Sequence, residues 1–157
     1  MTAFGSRLLA NLTDENHAID ALIGLIQQEQ ASLVNANVEA IEPITKQKAG
    51  HIAKLADLAN KRHLILATAH CQPDETGMQA WLDKNSAPEV QRAWGNLLSQ
   101  VKVAKELNHT NSLLVNTHLA RTRTALNMLR GGSQTGSVYS ANGQTANSTK
   151  ARAIVSS

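Results

Sequence analysis

Apolar side chains recur along the chain at alternating steps of four and three residues, the spacing of packed α-helices. The longest such seam predicts a helix over Ser86–Arg130. Ser86 is the expected N-cap of this helix, and the pair Gly131 and Gly132 is expected to end it. The seam is apolar at its start and polar from Asn108 onward. We therefore expect the first part to hold a helical bundle and the remainder to be the better place for a partner.

Two further seams of the same spacing precede this helix. They predict one helix over residues 6–34, with Ser6 as its N-cap, and a second helix over residues 38–69. The connection of residues 35–37 is short, which is typical of an antiparallel helical hairpin. Pro43 lies about one turn into the second helix, where its ring is expected to bend or separate the first turn.

Charged residues interrupt both seams of the hairpin. Facing residues in an antiparallel pair have numbers with a constant sum, and a turn centred near residues 36–37 gives a sum near 74. Glu15 with Arg62 gives 77, an offset of three residues that long side chains can span. Glu29 with Lys48 gives the same sum. We therefore predict two interhelical ion pairs, which set the register of the hairpin more than they stabilise it. The alternative is that all four side chains extend into water.

The segment between the second and third long helices predicts a turn over residues 73–77 and then a short helix. Met78, Trp81 and Leu82 share one face of that helix, so we expect it to cover the end of the bundle by burying Trp81. The predicted fold class is thus all-α. It is an elongated antiparallel bundle of three long helices plus one short helix over residues 1–130.

Residues 131–157 have a different composition, dominated by Gly, Ser, Thr, Asn and Gln. Such a segment buries too little apolar surface to offset the entropy of ordering, which predicts a flexible polar tail. Two small apolar patches interrupt it, at Val138–Tyr139 and at Ala153–Val155. That pattern favours a tail that docks on something.

The composition supports a soluble helical protein and excludes several classes. Apolar residues make up 42% of the 157 residues but aromatic residues only 3%, which suits helices better than sheets. Cys71 is the single cysteine, so an internal disulfide cannot form. No apolar run approaches the length of about 18 residues that a membrane span needs, and no signal peptide is evident. We expect a cytoplasmic protein without membrane insertion.

The net charge of +3 is unevenly distributed. Residues 1–106 contain 10 Lys and Arg against 12 Asp and Glu, a net charge of −2. Residues 107–157 contain five basic residues and no acidic residue, a net charge of +5. This asymmetry suggests an acidic partner for the last third of the chain, whether protein, nucleic acid or lipid. The alternative is a basic face exposed only to water.

Candidate catalytic chemistry is weak throughout the sequence. None of the six histidines is paired with a carboxylate or thiol at metal-ligand spacing, so no metal site is expected. Nothing in the sequence activates Cys71 as a nucleophile, and no glycine-rich loop opens a helix as a phosphate site would. We expect neither an enzyme nor a cofactor.

The polar seam positions Asn108 and Asn111 allow two interpretations. Asparagines in a seam commonly form hydrogen bonds across helices and set their register, which we take as the structural interpretation. The functional interpretation is that the distal half of the helix lacks a permanent partner and receives an amphipathic helix from another protein. The side chains around that half are Leu107, Leu113, Leu114, Leu119, Leu126, Met128 and Leu129. Ordinary bundle core or a homodimer interface is the alternative for these residues.

With these residues in view, the chain resembles the FlgN family of flagellar export chaperones. The likeness lies in residues 29–62, which combine an acid, leucines, a short turn and the bases Lys48 and Arg62 at heptad spacing. It continues in the Asn108 and Asn111 pair and in the polar tail that contains Tyr139.

The resemblance implies a cytosolic escort that binds the helical ends of hook-associated, or hook–filament junction, proteins. It would deliver these clients to the cytoplasmic platform of the type III export gate, without catalysis. In such families a tail tyrosine contacts the gate, and Tyr139 is the only tyrosine here. The expected client-binding residues are Leu114, Leu119, Leu126, Met128, Leu129, Val138, Ile154 and Val155.

The main alternative is a nucleic-acid-binding or regulatory helical protein that uses the basic last third. Residues 107–157 contain one aromatic residue and five dispersed cations, without a motif that reads a nucleic-acid groove. We therefore expect no nucleic-acid partner. A purely structural coiled-coil dimer is the third hypothesis.

Overall fold

The computed structural model confirms the all-helical prediction for the residues that it describes. It describes the backbone of residues 1–156 and the side chains of residues 1–131. The helices are α1 (Ala3–Val34), α2 (Val38–Thr68), α3 (Glu75–Lys84) and α4 (Pro88–Ser156). The chain divides into two units, Met1–Leu114 and Val115–Ser157.

The connection between α1 and α2 is a tight helix C-terminal motif. Ala36 has φ 53°, in the left-handed region. Its amide donates to the Leu33 carbonyl at 3.2 Å, and the Asn37 amide donates to the Ser32 carbonyl at 2.8 Å. These two bonds define a Schellman motif, which ends α1 and reverses the chain. The end of α2 repeats the motif around His70, which has φ 56°.

Hydrogen bonds define the directions of the three long helices within residues 1–114. Asn11 of α1 donates to the Leu58 carbonyl of α2 at 3.0 Å, early in one helix and late in the other, so the two helices are antiparallel. Asn16 of α1 donates to the Ala93 carbonyl of α4 at 3.0 Å, and Gln100 donates to Asp20 at 2.8 Å. Both residue numbers rise together in those contacts, so α1 and α4 are parallel.

The core is aliphatic and draws on all four helices. From α1 it contains Leu8, Leu12, Ile19, Leu22, Ile23 and Ile26, and from α2 Ile65 and Leu66. From α3 and α4 it contains Met78, Trp81, Val90, Trp94, Leu97 and Ala104. Burial of such side chains contributes about 1.5–3 kcal/mol each, which accounts for a bundle with few aromatic residues.

The short helix α3 lies at the end of the bundle where α1 begins, as the sequence predicts. The Trp81 ring packs on the Phe4 ring with centroids 5.3 Å apart, and Met78 is fully buried. Asp74 caps α3 by accepting a hydrogen bond from the Gly77 amide at 2.7 Å. A Cβ atom at Gly77 would overlap the Gln72 carbonyl, so this close approach requires glycine.

Several predicted boundaries are wrong. Thr2, not Ser6, caps α1, because the Thr2 hydroxyl accepts from the Gly5 amide at 3.1 Å and the helix begins before Ser6. Since α4 begins at Pro88, Ser86 lies one residue too early to be its N-cap. Pro43 lies inside a single continuous α2, so the first turn is not separate, and the alternative of a bend at Pro43 stays a prediction.

The expected stop of the last helix after Arg130 is also wrong. The backbone of α4 continues through Gly131 to Ser156. No glycine among the described residues has the positive φ that a glycine stop requires. Whether residues 131–157 form a flexible tail stays a prediction.

Candidate functional site

An exposed aliphatic strip occupies α4 after residue 112. Five of its large apolar side chains are between 49% and 73% exposed. They are Leu113, Leu119, Leu126, Met128 and Leu129, and Val115 is exposed to 39%. We call the four of these residues that follow residue 114 and share one face of α4 the distal strip; they are Val115, Leu119, Leu126 and Leu129. Exposed apolar patches on helices commonly mark surfaces where another protein binds.

The spacing of the distal strip suits a helical partner. Val115, Leu119, Leu126 and Leu129 are separated by steps of four, seven and three residues, so they share one face of α4. An amphipathic helix binds such a face through its own side chains at the same spacing. Two other expected client-binding residues do not belong to this face, since Leu114 is only half-buried and Met128 is exposed on another side of α4.

The surroundings of the distal strip are basic. Arg121, Arg123 and Arg130 are all exposed. Because residues 107–157 contain no acidic residue, no carboxylate within that segment neutralises these cations. A partner with acidic groups beside its apolar face would be attracted to this region.

Four of the predicted site residues fall in the last part of α4. These are the client-binding residues Val138, Ile154 and Val155 and the predicted gate contact Tyr139. These four side chains lie outside the part of the chain whose side chains the structure describes, and their roles stay predictions.

The structure brings together the first predicted ion pair, and the pair is deeply buried. Arg62 Nε donates to Glu15 Oε1 at 2.9 Å, and Arg62 Nη2 donates to Glu15 Oε2 at 3.3 Å. The two side chains are 6% and 3% exposed. Asn11 donates to the same Glu15 oxygen at 2.7 Å, and the Arg62 guanidinium lies 4.8 Å from the Trp94 ring centroid. This cluster, which we call the lower clamp, joins α1, α2 and α4.

The second predicted ion pair also forms in the structure. Lys48 Nζ donates to the two Glu29 carboxylate oxygens at 2.9 and 3.1 Å and to Asn108 Oδ1 at 2.9 Å. The buried Asn111 side chain donates to the Ile26 carbonyl at 2.8 Å and to Glu29 at 2.9 Å. This cluster is the upper clamp. Its geometry supports the structural interpretation of the two asparagines, since both form hydrogen bonds across helices.

Between the two clamps, an apolar groove of about 350 Å³ separates α2 from α4. Ile19, Leu22 and Ile26 of α1 line it together with several residues of the other two helices. Those residues include Ile52, Leu55 and Ala59 of α2 and Leu97, Leu98, Val101 and Ala104 of α4. Ile52 lies on the four-three seam of α2, three residues before Leu55, yet its side chain is 53% exposed, and Leu98 on α4 is 42% exposed. The sequence analysis missed this groove because a seam does not show where two helices diverge.

Among the described residues, we find no helix that combines the length and the hydrophobicity of a membrane span.

An all-helical chain with an exposed aliphatic helix face is typical of proteins that bind other helices. A family model described as "FlgN protein" matches residues 1–147 of this chain. The chain therefore belongs to the FlgN family, a family of flagellar export chaperones, as the resemblance indicated. Comparison with curated proteins and with solved structures gives no match.

Proposed function

We propose that the protein is a cytoplasmic chaperone that binds the helical ends of hook–filament junction proteins and delivers them to the type III export gate. The observation that carries this proposal is the distal strip, whose aliphatic side chains are available to a client. Membership of the FlgN family supports flagellar export substrates as the kind of partner. Chaperone binding requires no catalytic residue, and we propose none.

The distal strip is suited to reversible binding. Covering a half-exposed aliphatic side chain contributes roughly 1 kcal/mol, so the four side chains of the strip contribute about 4 kcal/mol before the entropic cost of association. A surface of this size supports a moderate affinity unless the client adds further contacts. Moderate affinity suits an escort that must release its client at the gate.

The cations beside the distal strip support selection of the client. Arg121, Arg123 and Arg130 would attract an amphipathic helix with carboxylates flanking its apolar stripe. We propose that Val138, Ile154 and Val155 add apolar contacts to the client. We propose further that Tyr139 contacts the cytoplasmic platform of the export gate.

The test is the affinity of the full chain for a purified full-length hook–filament junction protein. Replacing Leu119 and Leu126 together by aspartate should weaken binding at least about tenfold, because two carboxylates would lose hydration against an apolar helix. Asn127→Asp is the control, since Asn127 is exposed and no expected client-binding residue lies three or four positions from it along α4. It should leave the affinity unchanged. Equal affinity of the double variant and the control would contradict the proposal.

The exposed arginines also favour a second candidate, a nucleic-acid-binding protein. Titration with nonspecific DNA over a range of salt concentrations separates the two functions. Binding that falls steeply as salt rises, together with no capture of a junction protein, would favour the nucleic-acid function. A homodimer formed through the distal strip would instead be lost in the Leu119 and Leu126 double variant, which light scattering detects.

A further inference from the structure

We propose that the groove between the two clamps is a second client site, which takes an amphipathic helix of about four turns. This inference rests on the proposed function and extends it from the distal strip to residues 1–114. The groove runs along α4 from Trp94 to Asn108, which corresponds to about 21 Å at 1.5 Å per residue. A client helix of about 14 residues has the same length.

The walls of the groove suit the apolar face of a helix. Its floor is the buried aliphatic face of α1, and both of its lips are helices. Ile52 on the α2 lip and Leu98 on the α4 lip remain substantially exposed. An inserted helix would cover both side chains and could pack its ridges against those of α2 and α4.

Charges at the two ends of the groove indicate a peptide rather than a lipid. Lys105 lines the end near the upper clamp, and Glu75, the first residue of α3, lines the end near the lower clamp. Both side chains are exposed, and neither belongs to any of the ion pairs that the structure contains within residues 1–131. A fatty acid has one charged end and would leave the second group unmatched. A helix with an acidic residue near Lys105 and a basic residue near Glu75 would satisfy both.

The cationic groups of the clamps do not compete for the acidic residue of the client. Arg62 is already paired with Glu15, and Lys48 is paired with Glu29. Lys105 is therefore the lining cation that remains for the client, which makes its substitution informative. Lys102 lies one turn earlier on α4, is exposed, and does not line the groove.

The experiment measures the affinity of the full chain for a full-length hook–filament junction protein. Ala59→Trp fills the groove and should weaken binding at least about tenfold. Ala56→Trp, on the exposed face of α2, is its matched control and should bind as the unmodified protein does. Lys105→Glu should weaken binding about fivefold at about 0.15 M salt and much less at about 1 M, whereas Lys102→Glu should not. Ile52→Ser tests the lip without altering the core, and it should weaken binding about threefold.

The outcomes separate this inference from the proposed function. If the unmodified protein does not bind the junction protein, the proposed function fails, and the inference fails with it. If it binds and the Ala59→Trp and Ile52→Ser variants bind equally well, the groove is not a client site, while the function stands. If Ala59→Trp changes the oligomeric mass but not the client affinity, a second copy of the chain occupies the groove, which overturns the inference.

Discussion

In the lower clamp, replacing only one residue of the Glu15–Arg62 ion pair should lower the free energy of unfolding far more than replacing both residues. Arg62→Met would leave the Glu15 carboxylate, 3% exposed, with only the Asn11 amide as a neutral donor. It would also remove the guanidinium from the Trp94 ring. An unpaired buried charge of this kind costs about 3–5 kcal/mol of unfolding free energy.

The double variant Glu15→Leu with Arg62→Met should recover most of this loss. Arg62 Nη1 is buried and has no hydrogen-bond partner in the part of the chain that the structure describes. The attraction within the ion pair therefore offsets only part of the cost of removing both charges from water. Apolar side chains of similar volume should restore the free energy of unfolding to within about 1 kcal/mol of the unmodified protein. That comparison separates the pair's contribution to stability from its contribution to register.

The assay is urea unfolding followed by far-ultraviolet circular dichroism. With an m-value of about 1.5–2 kcal/mol per molar urea, the single variant should lower the midpoint by about 2 M. Glu42→Gln is the control, because the Glu42–Lys46 pair is 79% and 77% exposed and should contribute less than about 0.5 kcal/mol. A single-variant loss below about 1 kcal/mol, or a double variant no more stable than the single one, would refute this reasoning.

Three further predictions concern the turns and the end of the bundle. Ala36→Gly should raise the stability by about 1 kcal/mol in thermal unfolding, since glycine adopts the left-handed conformation without steric cost; a lower melting temperature would contradict this. Gly77→Ala should cost about 2 kcal/mol in the same assay, because its Cβ would overlap the Gln72 carbonyl, and an unchanged melting temperature would be the contrary result. Trp81→Ala should cost about 3–5 kcal/mol in urea unfolding, whereas Leu64→Ala, at an exposed site, should cost under about 0.5 kcal/mol; equal losses would show that α3 does not hold the core.

The hairpin of α1 and α2 could be predicted closely from the sequence, because the position of the turn determines which residues of the two helices face each other. The short turn predicts a sum near 74 for the numbers of facing residues. Glu15 with Arg62 and Glu29 with Lys48 share the sum 77, and this common offset of three residues is within reach of long side chains. The structure has both pairs at 2.9 Å. The burial of Trp81 followed from its position on one face of a short helix.

Features that depend on three helices at once could not be predicted in this way. Nothing in the seam of α2 shows that Ile52 lies at the lip of a groove, because its exposure depends on the separation of α2 from α4. The contact between Arg62 and Trp94 likewise requires the relative rotation of those two helices. The N-cap was misplaced because Ser6 and Thr2 are both good capping residues, and only the start of the helix distinguishes them.

The two tryptophans lie at the same end of residues 1–114, and this placement makes the intrinsic fluorescence of the protein sensitive to binding there. Trp94 lines the groove, so a guest there should alter the emission of that indole. Residues 95–131 contain neither tryptophan nor tyrosine, so the helix segment that carries the distal strip contributes no emission of its own. Fluorescence of the unlabelled protein can therefore report directly on occupation of the groove.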